Sequence, residues 1–99
     1  MQQGTILVVD DEPNIADLVD LYLAREGYRV LKAATGAAGL DAVRDQRPRL
    51  VVLDVGLPDI DGLEVCKRIR QTSQVPVIFL TARDGEVDRV LGLELGGDD

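Results

Sequence analysis

The chain has 99 residues, a length that fits one domain and leaves no room for two. Eleven Lys plus Arg against eighteen Asp plus Glu give a net charge of -7, so the chain by itself would meet repulsion from a polyanion such as nucleic acid. It has no His, which excludes histidine catalysis, histidine metal ligation and a phosphohistidine of its own. Apolar residues make up 45%, enough for a core. No apolar run approaches the ~20 residues of a membrane span. Met1-Gln2-Gln3-Gly4 lacks the charged and apolar regions of a signal peptide. The single Cys66 has no internal disulfide partner and suits a reducing compartment. These features predict a cytoplasmic acidic domain with no membrane partner.

In chain order, four short apolar runs alternate with helical patterns. Thr5-Ile6-Leu7-Val8-Val9 opens the chain as a strand. Pro13 stands at a first helical position, and Ile15, Leu18, Val19 and Tyr22 predict one apolar stripe ending near Gly27. Tyr28-Arg29-Val30-Leu31 is a second strand. Its polar alternation, with Lys32 following, predicts an edge. Thr35 is placed to cap a helix carrying Ala38, Leu40 and Val43, which ends before Pro48. The glycines of Thr35-Gly36-Ala37-Ala38-Gly39 match no phosphate-loop or dinucleotide fingerprint and read as small packing residues.

Leu50-Val51-Val52-Leu53 is a third strand, apolar on both faces, as suits a parallel sheet covered by helices. Asp61-Gly62-Leu63-Glu64 reads as a capping box, with Val65, Cys66 and Ile69 facing the core. Val75-Pro76-Val77-Ile78-Phe79-Leu80 is the fourth strand. A last helix is predicted from about Asp84 to Leu95, with Val87, Val90 and Leu91 on its apolar side. Gly92 weakens it by about 1 kcal/mol relative to Ala. The order β-α-β-α-β-α-β-α predicts a doubly wound α/β domain.

In such sheets the site lies beyond the carboxyl ends of the strands. The first strand ends in Asp10-Asp11-Glu12, the third in Asp54, and the fourth in Thr81-Ala82. If the first and third strands are neighbours, about 4.8 Å apart, their carboxylates converge. At an effective dielectric near 20, two like charges at that spacing repel by roughly 3 kcal/mol. Such a cluster invites a hard divalent cation with oxygen ligands. Asp59 and Asp61 read instead as turn and cap residues.

These segments resemble response-regulator receiver domains of bacterial two-component signalling. Ile6-Leu7-Val8-Val9-Asp10-Asp11-Glu12-Pro13 looks like their first strand and acidic pocket. Val52-Leu53-Asp54-Val55-Gly56-Leu57-Pro58 with Asp61-Gly62 looks like their phosphoacceptor strand and loop. Val75 through Arg83 looks like their fourth strand and switch threonine, and residues 92–99 resemble the segment ahead of their last strand. The resemblance implies a flavodoxin-like parallel sheet of order 2-1-3-4. Asp54 would be the phosphoacceptor, and Thr81 would bond the phosphoryl group after transfer. Asp10, Asp11, Asp54 and the backbone carbonyl of Gly56 would hold Mg²⁺, for which Mn²⁺ could substitute.

The resemblance further implies a phosphoacceptor signalling domain rather than an enzyme, acting only in its own phosphorylation and autodephosphorylation. A sensor histidine kinase would be the donor. The closing segment is similar to receivers joined to winged-helix domains, which implies a transcription regulator that reaches DNA through an output domain outside this chain.

Two departures stand out. The family's lysine on a fifth strand has no counterpart, since the only lysines are Lys32 and Lys67. Residues 1–99 are therefore expected to be a receiver domain incomplete at its C-terminus, without its fifth strand and fifth helix. An open face and an unpaired fourth-strand edge would then favour a homodimer or an exchanged oligomer. Gly56 also offers no side chain where many relatives have one.

Three rival readings remain at this point. A dehalogenase-type phosphatase needs an Asp two positions after the nucleophile, where Gly56 stands. A flavodoxin-like cofactor binder would not place three acids after its first strand. A pseudo-receiver, used only for interaction, is favoured by the missing lysine and opposed by Asp11, Asp54 and Thr81.

Overall fold

The computed structural model describes residues 4–80 in full and the backbone of 81–83 and 86–94. The elements are β1 (Thr5–Val9), α1 (Pro13–Arg25), β2 (Arg29–Ala33), α2 (Gly36–Gln46), β3 (Leu50–Asp54), α3 (Gly62–Arg70), β4 (Val77–Arg83) and β5 (Glu86–Glu94). They build one five-stranded sheet of order β2-β1-β3-β4-β5. The first four strands are parallel and follow the predicted order 2-1-3-4.

The continuous apolar strands are buried on both faces, as their composition requires. Leu7, Val9, Val51, Leu53, Val77 and Phe79 join Val43, Val65, Cys66 and Ile69 in one core cluster, beneath α2 and α3. Ile6, Val8, Val52 and Leu80 join Ile15 and Ala16 of α1 on the opposite face. One helix on one side and two on the other is what right-handed crossovers produce when the chain steps outward once and then returns. β2 is the outer strand predicted from its polar alternation, with only Ala33 buried.

The largest departure from the sequence reading is over residues 86–94. No helix forms over Glu86–Glu94, which is a strand antiparallel to β4. Its register runs from Arg83 opposite Glu86 to Val77 opposite Glu94, with irregularities between Phe79 and Leu80 and between Thr81 and Ala82. The expected unpaired edge of β4 is therefore covered. The physical reason is competition. A helix weakened by Gly92 would leave the N–H and C=O groups along β4 without partners, whereas a β-paired segment satisfies both strands. The added strand is antiparallel, so the family's fifth parallel strand and fifth helix are absent among the described residues. Asp84, Gly85 and residues 95–99, drawn into the last helix and closing motif, lie outside the described residues.

Smaller corrections concern the helices. In α1 Ile15 and Ala16 are buried and Val19 and Leu23 pack beside them, but Leu18 and Tyr22 point outward. The buried stripe thus lies further round the helix than predicted. In α2 the buried positions are Gly36, Gly39 and Val43, while Ala38 is exposed. Thr35 caps this helix as expected, accepting from Ala38 N–H at 3.1 Å. The capping box at α3 is only half formed. Asp61 accepts from Leu63 N–H at 2.7 Å, whereas Glu64 turns to Arg68 at 3.1 Å.

Candidate functional site

The carboxyl ends of β1 and β3 meet because the two strands are hydrogen-bonded neighbours, with Val9 opposite Leu53. Asp10 follows Val9 and Asp54 ends β3. Each of Asp10, Asp11 and Asp54 presents a carboxylate oxygen, and the three atoms lie within 4.8 Å of one another. They line a cavity of about 350 Å³ together with Glu12, Ile15, Val55 and Gly56. Glu12 thus faces the same cavity without belonging to the three-carboxylate cluster.

Asp10 is 5% exposed. Its backbone N–H donates to Ala33 C=O at 2.9 Å, and its Oδ1 accepts from Glu12 N–H at 2.9 Å. Burial pushes its carboxyl up from the ordinary 3.8 to about 6, and the charges of Asp54, Asp11 and Glu12 push the same way. The bond from Glu12 N–H opposes them. Asp54 is half-buried, and its pKa is raised by burial and then by the charge of Asp11. Gly56 N–H, at 3.3 Å from its Oδ1, works against that rise. A cation among these three oxygens would offset both the burial and the repulsion that raise these two groups. Hard carboxylate donors, one of them buried with its neighbours' charge unrelieved, fit a divalent metal ion of the Mg²⁺ type.

The β3–α3 loop is held by features that the sequence reading missed. A Cβ on Gly62 would run into Asp54 C=O and lie 2.7 Å from Val55 Cα. Gly62 N–H also donates to Val55 C=O at 2.9 Å. The glycine therefore lets α3 begin directly against the strand end that carries Asp54. On the other side, a Cβ on Gly39 would sit 2.9 Å from Val9 Cγ2, so α2 rides close behind the end of β1. Asp59 bonds to the start of α2 rather than serving only its own turn. A glycine after an aspartate pointed to a cap, but nothing local could show that the glycine's neighbour is a strand end.

Thr81 lies one residue beyond Leu80, which is in register with Asp54. Its backbone thus occupies the same sheet edge, and its side chain lies outside the described residues. Neither lysine lines the acidic cavity. Lys32 Nζ is held on α1 by Asp17 at 2.7 Å and Asp20 at 3.1 Å. It borders a smaller cavity of about 210 Å³ on another side of Asp10 and Asp11. Lys67 is exposed on α3.

The family model of the response regulator receiver domain matches residues 6–99. The chain belongs to that family. The receiver domain is 53% identical over 95 residues to the transcriptional regulatory protein AfsQ1 of Streptomyces coelicolor, covering 96% of this chain and 42% of that protein. It thus spans less than half the length of this curated relative. Its fold is similar to the N-terminal domain of a response regulator receiver protein from Methanoculleus marisnigri, with a TM-score of 0.78 and 40% identity over 83% of this chain and 69% of that one. The response regulator TrrA of Thermotoga maritima, solved in complex with Mg²⁺-BeF, gives a TM-score of 0.76 and 41% identity, covering 85% of this chain and 72% of that one. Membership places this receiver domain in two-component signalling and implies phosphorylation of an aspartate. No helix among the described residues is long and apolar enough to cross a membrane.

Proposed function

We propose that Asp54 is the phosphoacceptor, that Asp10, Asp11, Asp54 and the Gly56 carbonyl hold Mg²⁺, and that Thr81 bonds the transferred phosphoryl group. The observation that carries this reading is the convergence of three carboxylates within 4.8 Å around a cavity with room for a phosphoryl group. A bound Mg²⁺ would supply charge neutralisation, letting an anionic phosphoryl group approach three acids. Mn²⁺, with the same preference for oxygen ligands, would substitute.

Asp54 stands where it can act as nucleophile. Burial raises its basicity, while Gly56 N–H orients one of its oxygens. The other oxygen is the one to attack phosphorus. As the new O–P bond forms, the P–N bond of a phosphohistidine breaks, and the imidazole leaves with the electron pair. The transition state is loose, so positioning and charge neutralisation dominate over covalent assistance. With no His in this chain, the donor is a sensor histidine kinase. Water attacking the same phosphorus would return Asp54 to its carboxylate, which is the domain's only turnover. No lysine lines the cavity, and one missing charge-stabilising donor commonly costs ~10²–10³ in rate. Transfer to this chain is therefore slow.

Residues 1–99 act as the phosphoacceptor unit, incomplete beside the full receiver fold, of a cytoplasmic transcription regulator. AfsQ1 is a transcriptional regulatory protein. By analogy, DNA binding falls to a winged-helix output domain beyond residues 1–99, and a second copy of the chain is a further partner. The test is incubation with a small phosphodonor, with and without Mg²⁺. Wild type should gain an acid-stable, hydroxylamine-sensitive phosphate only with the metal. Asp54→Asn should gain none, and Asp11→Asn should lose most of the Mg²⁺-dependent labelling. Wild-type labelling of Asp54→Asn would remove the assignment.

A further inference from the structure

Asp59 lies in the loop between β3 and α3 that also carries Gly56. Its Oδ1 accepts from Gly36 N–H at 2.7 Å, and its Oδ2 accepts from Ala37 N–H at 3.0 Å. Gly36 and Ala37 open α2. The first turn of a helix has N–H groups with no partner inside the helix, and a carboxylate there also meets the positive end of the helix dipole. Thr35 satisfies one of these groups locally. Asp59 satisfies two more from 22 and 23 positions away. Those two bonds, with Gly36 the stronger, hold its carboxyl below the usual range.

Packing supports the same connection. A Cβ on Gly36 would lie 2.8 Å from Val65 Cγ2 and 3.0 Å from Ile60 Cβ, so α2 begins directly on the loop and α3. The ends of the loop are pinned by Gly62 N–H on Val55 C=O and by Asp61 at the start of α3. Asp59 ties its middle to a separate element.

We propose that Asp59 is a positioning residue for the metal site: it latches the β3–α3 loop to α2 and so fixes the Gly56 backbone beside Asp54. This rests on the assignment of Asp10, Asp11, Asp54 and Gly56 as the Mg²⁺ site. Asp59 itself does not line the acidic cavity. Partners one step outside a metal site commonly change affinity 10–100-fold. A latch acting through a loop belongs at the lower end, about tenfold.

The experiment measures Mg²⁺ affinity by calorimetry and amide exchange at Gly56 by NMR, on the whole 99-residue chain. Asp59→Ala should weaken Mg²⁺ binding about tenfold and speed exchange at Gly56 in the absence of metal. Asp59→Asn keeps one acceptor oxygen but sets an NH₂ against the second N–H and removes the charge, so it should recover only part of both, as Ala37→Pro does. Thr35→Ala removes the local cap of the same helix without removing either Asp59 bond, and should change Mg²⁺ affinity less than about twofold although it lowers helix stability. Ala37→Pro removes one latch donor at a position in the first turn where proline is tolerated. It should give an intermediate loss and keeps the test open if Asp59→Ala folds poorly. Wild-type affinity in both Asp59→Ala and Ala37→Pro, or an equal loss in Thr35→Ala, overturns the latch. If the wild-type amides of Asp10, Asp11 and Asp54 do not respond to Mg²⁺ at all, the metal assignment itself falls and takes the latch's role with it. A response lost only in Asp11→Asn, and intact in the latch variants, overturns the latch alone.

Discussion

Asp10 shows how the site's chemistry weighs on the stability of the fold. Its carboxyl is buried beside Asp54, Asp11 and Glu12, and its folded pKa is about 6 against an ordinary 3.8. An acid whose pKa is raised on folding binds more protons folded than unfolded between those two values. Stability from this group is therefore fully present below about pH 4 and is lost as pH rises to about 6. The loss is on the order of 3 kcal/mol if the whole difference is realised. Asp54 is shifted in the same direction. Metal-free protein should accordingly become less stable across that window, against the usual acid-denaturation trend. Asp10→Asn keeps an acceptor for Glu12 N–H but carries no charge. It should unfold about 1–3 kcal/mol later at pH 7 and flatten the slope between pH 4 and 6. Urea unfolding at several pH values checks this, and parallel wild-type and mutant curves would contradict it. Mg²⁺ should restore stability to wild type, by about 2.7 kcal/mol at a hundred times its dissociation constant.

Loops and helix starts are where the sequence was hardest to read. Gly62 followed an aspartate and suggested a cap. What it does is let α3 abut the carbonyl of Asp54, and only the folded chain shows this. Gly62→Ala should therefore cost about 2–3 kcal/mol by overpacking, more than the roughly 1 kcal/mol that Ala gains in a helix. It should also displace Asp54. Gly56→Ala is the contrast. A Cβ there meets nothing within 4 Å, so its stability should stay within about 0.5 kcal/mol of wild type. Urea midpoints that rank the two variants the other way would reject this account. The strands were legible because continuous aliphatic runs such as Leu50–Leu53 have few other uses. The convergence of Asp10, Asp11 and Asp54 was legible because strand order fixes which strand ends meet. Asp59 is a cap, as read, but of a helix whose first residues, Gly36 and Ala37, are too distant in sequence for a local pattern to show. Residues 86–94 were misread for a related reason. Val87, Val90 and Leu91 fit a helical stripe, but the open edge of β4 offered hydrogen bonds that a propensity argument does not count.

At the scale of the molecule, cover on the two faces of the sheet is uneven. Among the described residues, α2 and α3 lie over one face and α1 alone packs on the other. On that second face Leu50 and Ile78 remain half-buried. α1 itself exposes Leu18 at 46%, Leu21 at 53% and Tyr22 at 59%. Leu63 on α3 is also exposed, so most but not all of this apolar surface is on α1. Such surface favours association, with each 100 Å² removed from water contributing about 2.5 kcal/mol before the cost of ordering. The net charge of -7 opposes it, because two copies repel at long range. Salt decides between these terms. It screens the repulsion, with a Debye length of about 10 Å at 0.1 M, and leaves the apolar attraction intact. The chain should therefore be closest to monomeric in low salt and self-associate increasingly as salt rises, at tens of micromolar. Paired substitution of Leu18→Glu with Leu21→Lys leaves the net charge unchanged while removing two exposed apolar side chains, and should hold the chain monomeric at high salt. Light scattering over a grid of protein and salt concentrations reads this out. A monodisperse wild-type monomer with a sharp cooperative melt at every salt concentration would show that α1 and the β4–β5 pairing already complete the cover.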